Sequence, residues 1–213
     1  AGQTGTELPR RAVGARLEAR VAEAALAAIG HLQQLARGLQ VAQFLGLQFQ
    51  IINAPKAKVY GFELEQTVKV SDVVTLNGGL TWLPKATFGN DAALVNLAAR
   101  RFSTAPKFAA NGSVNVEYPV NDNVAITARL QTLYTSQVFT NPVNDLTQKG
   151  FALVNANLGL KSLSAGWQIE GFVQNLFNQD YVTSHFNTPL QGDDRNAYLG
   201  APRTYGITLR GSF

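Results

Sequence analysis

The end of the chain alternates strictly between apolar and polar positions. One set of positions holds apolar or small residues, namely Tyr205, Ile207, Leu209, Gly211 and Phe213, and the set between them is mostly polar. Because successive side chains of a β-strand point to opposite faces, this pattern predicts a strand with one apolar and one polar face. Such a strand suits a membrane barrel, between lipid and a polar lumen, but it also suits a sheet in a soluble protein.

The same alternation recurs upstream and predicts an all-β, antiparallel protein with eight strands. The other seven cover approximately residues 39–52, 60–70, 74–82, 105–118, 124–135, 150–162 and 167–177. Residues 85–104 show no sustained period, and the loop after Phe177 is long and polar. From the second strand onward, short turns therefore alternate with long loops. This arrangement is typical of outer-membrane barrels, in which the short turns are periplasmic.

Aromatic residues lie near many of the predicted strand ends. They are Tyr60, Trp82, Phe108, Tyr118, Trp167, Phe177 and Tyr205. Membrane interfaces favour amphipathic rings at such positions. The core of a soluble β-sandwich also uses aromatic residues, so this pattern leaves both architectures open.

Residues 1–38 differ from the rest and are treated as a separate segment, with residues 39–213 as the strand-rich domain. The segment is rich in Ala and Arg, and it lacks Lys, Asp, Asn, Phe, Tyr and Trp. Its apolar residues recur at helical spacing, which predicts a helix from about Ala12 to Ala36. The abrupt change of period near Leu39 supports a second hypothesis, that the segment is an out-of-frame reading of preceding barrel strands.

Composition removes several classes of protein. The 213 residues carry a formal net charge of +4, only 15% are charged, and there is no cysteine. A disulfide framework and a thiolate metal site are therefore excluded. No run of eighteen apolar residues occurs, which excludes a spanning helix. Because Lys and Arg form no cluster in the strand-rich domain, we predict no nucleic-acid partner.

No catalytic motif is present, so the sequence predicts neither an enzyme nor a bound cofactor. The last long loop carries the one cluster of chemically active residues, namely Asp180, His185, Asp193, Asp194 and Arg195. These residues predict either an extracellular ligand-contact loop or a solvated loop whose polar residues form turns. In a barrel, Glu63, Glu65, Arg129 and Glu170 would point into the lumen.

Two segments near the end resemble the C-terminal part of TonB-dependent outer-membrane receptors. The first is Gln174-Asn175-Leu176-Phe177-Asn178-Gln179-Asp180-Tyr181, and the second is Gly200-Ala201-Pro202-Arg203-Thr204-Tyr205-Gly206. In this family a strand ending in Asn-Leu-Phe is followed by a long loop, then Gly-x-Pro-Arg and a final strand ending in Phe. The Gly61-Phe62-Glu63-x-Glu65 strand is similar to another family segment, and the resemblance covers roughly residues 39–213.

The resemblance implies a transporter in the outer membrane of a Gram-negative cell. It implies a barrel of about 22 strands around an N-terminal plug, of which this chain would supply about eight. It further implies coupling to TonB through the plug and import of an iron–siderophore or similar scarce nutrient. The assembly machinery would read Tyr205, Ile207, Leu209 and Phe213. Two alternatives remain open: a complete eight-stranded barrel with a structural or adhesive role, and a soluble β-sandwich binding module.

Overall fold

The computed structural model describes residues 29–36, 39–45, 48–54, 56–90, 97–141, 145–187 and 195–211, with the backbone alone for residues 29–54, 187 and 195. All named elements are strands. They are β1 (Ile29–Ala36), β2 (Leu39–Leu45), β3 (Gln48–Ala54), β4 (Ala57–Lys69), β5 (Val74–Phe88), β6 (Phe108–Pro119), β7 (Val124–Thr135), β8 (Val138–Phe139), β9 (Thr147–Gln148), β10 (Phe151–Ser162), β11 (Trp167–Gln174), β12 (Val182–Asn187), β13 (Arg195–Leu199) and β14 (Thr204–Gly211).

Eight of these strands form one antiparallel sheet in the order β1-β4-β5-β6-β7-β10-β11-β14. The remaining six form three separate hairpins, β2–β3, β8–β9 and β12–β13, and each hairpin lies within a long connection between neighbouring sheet strands. The short turns, residues 70–73, 120–123 and 163–166, all lie at one end of the sheet because its strands are antiparallel. The long connections lie at the other end, which we call the long-loop rim. The predicted alternation of short and long connections is confirmed.

Strand register divides the sheet into two faces of different chemistry. Across β5, β6, β7 and β10, apolar residues lie opposite one another, as in Leu76 opposite Val114 and Leu158 opposite Ala128. The other face pairs polar residues, such as Asn77 with Ser113 and Asn115 with Arg129. The separation is not complete, because Leu133 and Leu153 face each other on the polar side near the long-loop rim.

The apolar face is exposed rather than packed. Leu158, Ile207 and Leu209 are 64%, 74% and 72% exposed. A soluble sheet buries such a face against a second layer, because a contiguous apolar surface is unfavourable in water. The large sheet has no second layer among the described residues. Lipid is the solvent that suits this face.

The predicted number of sheet strands is confirmed, but the first strand was wrongly placed. Residues 39–52, expected to form one strand, form the hairpin β2–β3 instead, with Leu45 paired with Gln48. The eighth sheet strand is β1, which pairs with β4 from Ile29 opposite Leu64 to Ala36 opposite Ala57. The helix predicted to end at Ala36 is therefore wrong over residues 29–36. Residues 1–28 lie outside the described residues, and the boundary at residue 38 stays a prediction.

A β-bulge explains why β5 is longer than predicted. The register shifts between Tyr60 and Phe62, so that Leu83 and Pro84 together lie opposite Gly61. Pro84 cannot donate a ladder hydrogen bond, and a bulge is one of the few places in a sheet that accommodates it. Gly61 is required there, because an added Cβ would collide with the carbonyl oxygen of Trp82. The strand then continues to Phe88, through residues expected to form a loop.

No helix within the described segments is long and apolar enough to cross a membrane.

Candidate functional site at the polar face and the long-loop rim

Hydrogen bonds tie the polar side chains of the sheet to one another. The amide of Asn77 donates to Ser113 Oγ at 3.3 Å, and the amide of Asn115 donates to the same oxygen at 3.1 Å. On the neighbouring strands, Asn157 Nδ2 donates to Glu170 Oε1 at 3.2 Å. These bonds, two across neighbouring strands and one within β6, fix the rotamers of the face, so the polar surface is shaped in advance of any partner.

An ion pair crosses over β7 near the short turns. Lys161 on β10 donates to both carboxylate oxygens of Glu117 on β6, each at 2.9 Å. On β7, between the two partners, Ala125 lies opposite Lys161 and Thr127 lies opposite Glu117. The ion pair therefore spans β7 at two small residues, of which Ala125 is fully buried.

A cavity of about 520 Å³ opens on the polar face beside this ion pair. Charged residues from four different parts of the sheet line it, namely Asp72, Glu117, Arg129 and Glu170. Thr127 also lines it, and its hydroxyl oxygen is buried without a hydrogen-bond partner within the described part of the chain. The four charged groups suit a polar chain segment placed against this face, since polar groups that such a segment covers require partners.

The two sequence motifs near the end meet at one junction of the long-loop rim. Asn175 is 5% exposed and has a positive φ of 51°. Its amide nitrogen donates to the carbonyl oxygens of Gln179 at 3.0 Å and Ala201 at 3.1 Å, and its side-chain oxygen accepts from Gln179 N at 2.8 Å. Asn tolerates a positive φ better than most residues. One side chain thus closes the turn after β11 and anchors the segment leading into β14.

Two hairpins of the long-loop rim are bound to each other through His185. The backbone N–H of His185 on β12 donates to the carbonyl of Thr140 at 3.1 Å, and His185 Nδ1 lies 2.5 Å from Thr140 Oγ1. Thr140 lies directly after β8 and is only 3% exposed. A further bond joins the same regions, from Val182 N to Gln148 Oε1 at 2.8 Å. The β12–β13 and β8–β9 hairpins therefore form a joined loop structure.

The predicted ligand-contact residues are only partly placed by the structure. His185 lies in β12 with Thr140 as its partner, and Arg195 begins β13, where its backbone pairs with Asn187. Asp193 and Asp194 lie outside the described residues. Within the described part, no three His, Asp or Glu residues form a group that could hold a metal ion. A role of this loop in ligand contact stays a prediction.

Arg101 was not singled out from the sequence, yet it organises the loop between β5 and β6. Its guanidinium donates to four carbonyl oxygens, those of Leu83 at 2.6 Å, Ala105 at 2.9 Å, Pro106 at 3.2 Å and Pro84 at 3.3 Å. Leu83 and Pro84 are the bulged residues of β5, so Arg101 satisfies carbonyls at a disrupted part of the ladder. Burial of the guanidinium lowers the pKa of Arg101 from its ordinary value.

The predicted assembly residues lie on the last strand of the sheet. β14 pairs with β11, with Tyr205 opposite Val173 and Leu209 opposite Ile169. Tyr205, Ile207 and Leu209 are all exposed on the apolar face. No second partner strand for β14 lies among the described residues, so one side of its backbone can accept another strand. Phe213 lies outside the described residues.

Comparison with known proteins identifies the family. The family described as "TonB dependent receptor-like, beta-barrel" matches residues 29–176, which is more than half of the chain. The chain belongs to the TonB-dependent receptor family. The match begins at the first residue of β1, ten residues before the start of the strand-rich domain predicted from the sequence.

Solved structures of TonB-dependent receptors share the fold. The ferric yersiniabactin uptake receptor FyuA from Yersinia pestis is 26% identical with a TM-score of 0.67, covering 77% of this chain and 25% of that one. The ferric enterobactin receptor PfeA from Pseudomonas aeruginosa is 15% identical with a TM-score of 0.61, covering 86% and 28%. BauA, the ferric preacinetobactin receptor from Acinetobacter baumannii, is 19% identical with a TM-score of 0.57, covering 84% and 25%. No curated protein matches the chain.

The chain therefore spans about a quarter of the length of these solved receptors. It is a barrel fragment in the sense that its eight-stranded sheet corresponds to part of each of those structures. The family is one of outer-membrane transporters rather than enzymes.

Proposed function

We propose that this chain forms the C-terminal part of the barrel of an outer-membrane receptor that imports a ferric siderophore. The observation that carries the proposal is the two-faced sheet, whose apolar face is exposed and whose polar face is joined by hydrogen bonds. A wall between lipid and a polar interior requires this division. The family match supports the same location.

The polar face supports the proposal of an interior plug. The cavity of about 520 Å³ presents charged groups of both signs. An empty, water-filled lumen would solvate such groups, whereas a folded plug would pair them. We propose that the rest of the receptor supplies this plug, about fourteen further strands and the contact with TonB.

The relatives support the ligand class. FyuA, PfeA and BauA are receptors for ferric yersiniabactin, ferric enterobactin and ferric preacinetobactin, respectively. We propose a ferric siderophore as the cargo of this receptor too. His185, Asp193, Asp194 and Arg195 are proposed as loop residues that meet it, because in the sequence they lie in the long connection between β11 and β14, which would be extracellular.

The two alternatives have less support. A β-sandwich needs a second sheet over the apolar face, and the described residues contain only three small hairpins besides the large sheet. A closed eight-stranded barrel needs β1 to pair with β14. In the described register, β1 pairs with β4 and β14 pairs with β11, which leaves the sheet open.

Location can be tested on this chain directly. Membranes from cells that express it are separated on a density gradient, and each fraction is washed with alkaline carbonate and then with detergent. Our proposal predicts material in the outer-membrane fraction that resists carbonate and dissolves in detergent. Release by carbonate would support a soluble module instead.

The cargo is tested on the longer receptor that contains the chain. Cells that lack other siderophore receptors are supplied with radioactive iron bound to catecholate, hydroxamate or carboxylate siderophores. We expect uptake with at least one class and none when the receptor gene is deleted. A receptor that assembles in the outer membrane but supports no uptake from any class would contradict the proposed cargo and leave the location intact.

A further inference from the structure

Aromatic side chains form a continuous band on the apolar face near the long-loop rim. Phe62 on β4 lies opposite Trp82 on β5, and Trp82 lies opposite Phe108 on β6. The band continues to Tyr134 on β7, whose ring centroid is 6.0 Å from that of Phe108. Trp82 is 53% exposed and Tyr134 is 41% exposed. Aromatic rings in this position mark the level of lipid headgroups.

Two lysines lie on the same face closer to the rim, Lys85 one step beyond the aromatic band and Lys58 two steps beyond it. Tyr60 is the next residue of this face on β4 and lies opposite Lys85, while Lys58 lies opposite Thr87. Lys58 and Lys85 are thus diagonal neighbours, and residues so related have Cα atoms about 7–8 Å apart. The bulge at Leu83 and Pro84 produces this arrangement, because it shifts Lys85 onto the face that Trp82 occupies.

Neither lysine is neutralised by the described residues. The ion pairs of the described segments are Lys69 with Asp72 and Lys161 with Glu117, and both lie near the short turns. Glu63 and Glu65 are close to Lys58 along β4, but they have the opposite parity and lie on the polar face. The lysine–aromatic patch (Lys58, Tyr60, Trp82 and Lys85) therefore presents two adjacent positive charges toward the membrane interface.

We propose that the lysine–aromatic patch binds the headgroup phosphate of an anionic lipid in the leaflet at the long-loop rim. This inference rests on the proposed membrane location. The ammonium groups supply the charge complementary to a phosphate, and lysine side chains extend toward headgroups while their methylene groups stay in the apolar region. Trp82 and Tyr60 set the depth, and the Tyr60 hydroxyl adds a donor at the same level. A neutral zwitterionic lipid would gain less from two unpaired cations.

The test uses Trp82 as a local reporter. The chain has two tryptophans, Trp82 and Trp167, so W167F leaves a single fluorophore within the patch. The full chain with W167F is inserted into phosphatidylcholine vesicles that contain a minority of chain-brominated phosphatidylglycerol. A matched sample contains the same amount of brominated phosphatidylcholine. Since bromine quenches tryptophan at short range, the ratio of quenching reports which lipid occupies the patch.

We expect the anionic lipid to be enriched beside Trp82 by at least about fivefold, the effect of one lysine near a charged surface. The enrichment should fall as salt is added, because exposed charges are screened. K58Q/K85Q should abolish the enrichment while quenching by brominated phosphatidylcholine remains. K58R/K85R keeps both charges and should retain the enrichment. K69Q alters a lysine near the short turns and should change nothing.

Each contrary result has a distinct meaning. Equal quenching of the W167F chain by both lipids would refute the lipid site and leave the membrane location standing. Enrichment that survives K58Q/K85Q would show that other residues cause it. Absence of quenching by either lipid, in vesicles that retain the chain after a wash with alkaline carbonate, would show that the face around Trp82 does not meet lipid and would refute this inference.

Discussion

The side-chain oxygen of Asn178 accepts a hydrogen bond from the backbone N–H of Arg203 at 2.9 Å. The two residues are 25 positions apart and belong to the two motifs that resemble family segments. Arg203 in turn donates through Nη1 to the carbonyl of Leu176 at 3.5 Å. These two hydrogen bonds join the first motif to the second, and this contact places β14 beside β11. In this chain, each motif is half of one junction.

Asn175 is the most buried member of this junction, and its loss should destabilise the barrel. Asn175→Ala removes three side-chain hydrogen bonds and places Ala at a positive φ, for an expected loss of about 2–4 kcal/mol. Asn175→Gly loses the same bonds but accepts the backbone angle, so it should be less damaging by roughly 1 kcal/mol. Unfolding in urea, followed by the heat-modifiable gel mobility of the folded barrel, measures both. Equal stability of Asn175→Ala and wild type would show that the junction is not held by this side chain.

The division of faces can be tested in the middle of β10. Leu158→Arg and, on the adjacent strand, Val173→Arg introduce charge on the lipid side and should cost roughly 2–4 kcal/mol near the membrane midplane. The matched variant Asn157→Arg lies on the polar face, between Arg129 and Glu170, and should cost less than about 1 kcal/mol. Folding yield in lipid vesicles gives the comparison. If Leu158→Arg and Asn157→Arg are equally harmful, the assignment of faces is wrong.

β5 shows how a bulge conceals a strand from sequence reasoning. Up to Trp82, the apolar face of β5 holds even-numbered residues, but after the bulge it holds Lys85 and Thr87. The change of parity, together with Pro84, interrupts the alternation of apolar and polar residues. The sequence pattern therefore does not indicate that residues 85–88 continue the strand. The faces of β4, β6, β7, β10, β11 and β14 were predictable because each strand keeps one parity along its length, although single residues such as Leu133 and Leu153 depart from the pattern.

The first strand was missed for a different reason. Ile29–Ala36 contains two adjacent glutamines and no regular alternation, so nothing in its local pattern indicates a strand. Pairing with β4 places it in the sheet instead. In contrast, the sequence predicts one strand over β2 and β3, because the alternation of Leu45, Leu47 and Phe49 continues across the boundary between them. Contacts between distant loops, such as His185 with Thr140, have no periodic signal at all.

Replacing the guanidinium of Arg101 by an ammonium group should destabilise the loop between β5 and β6. Lys has the same charge, but its three donors cannot reach four carbonyls arranged around a planar fork. Arg101→Lys should therefore loosen the loop between β5 and β6 by about 1–3 kcal/mol. Limited proteolysis of the folded chain reports this opening as faster cleavage within residues 89–107. The adjacent Arg100→Lys, at an exposed side chain, is the control and should leave the cleavage rate unchanged.

Gly200 and Tyr181 should be energetically coupled. Tyr181 stacks on Phe151 with ring centroids 4.6 Å apart, and a Cβ added at Gly200 would collide with the Tyr181 ring. Gly200→Ala should displace the ring and cost about 1–3 kcal/mol. In a Tyr181→Ala background the collision is gone, so the same change should cost much less. Hydrogen exchange of the segment around β12 and β13 measures the cost of Gly200→Ala in the wild type and in the Tyr181→Ala background. Equal costs in the two backgrounds would contradict the coupling.

The last strand should act as an assembly signal rather than as a major source of stability. β14 presents Tyr205, Ile207 and Leu209 on an exposed apolar face, and one side of its backbone has no partner among the described residues. Such an edge can be captured by adding it to another sheet, which is how we propose that the assembly machinery binds it. The sequence alternation predicts that Phe213 shares this face, two residues beyond the paired region. Deleting Phe213 from the receptor should therefore leave its folding yield in detergent micelles nearly unchanged, because micelles contain no machinery. Surface abundance in cells, measured by antibody labelling, should fall several-fold.

The control for this deletion is Ser212→Ala, which alters the neighbouring residue and should affect neither measurement. Normal surface abundance without Phe213 would refute the signal, and equal loss in cells and micelles would assign Phe213 to the fold itself.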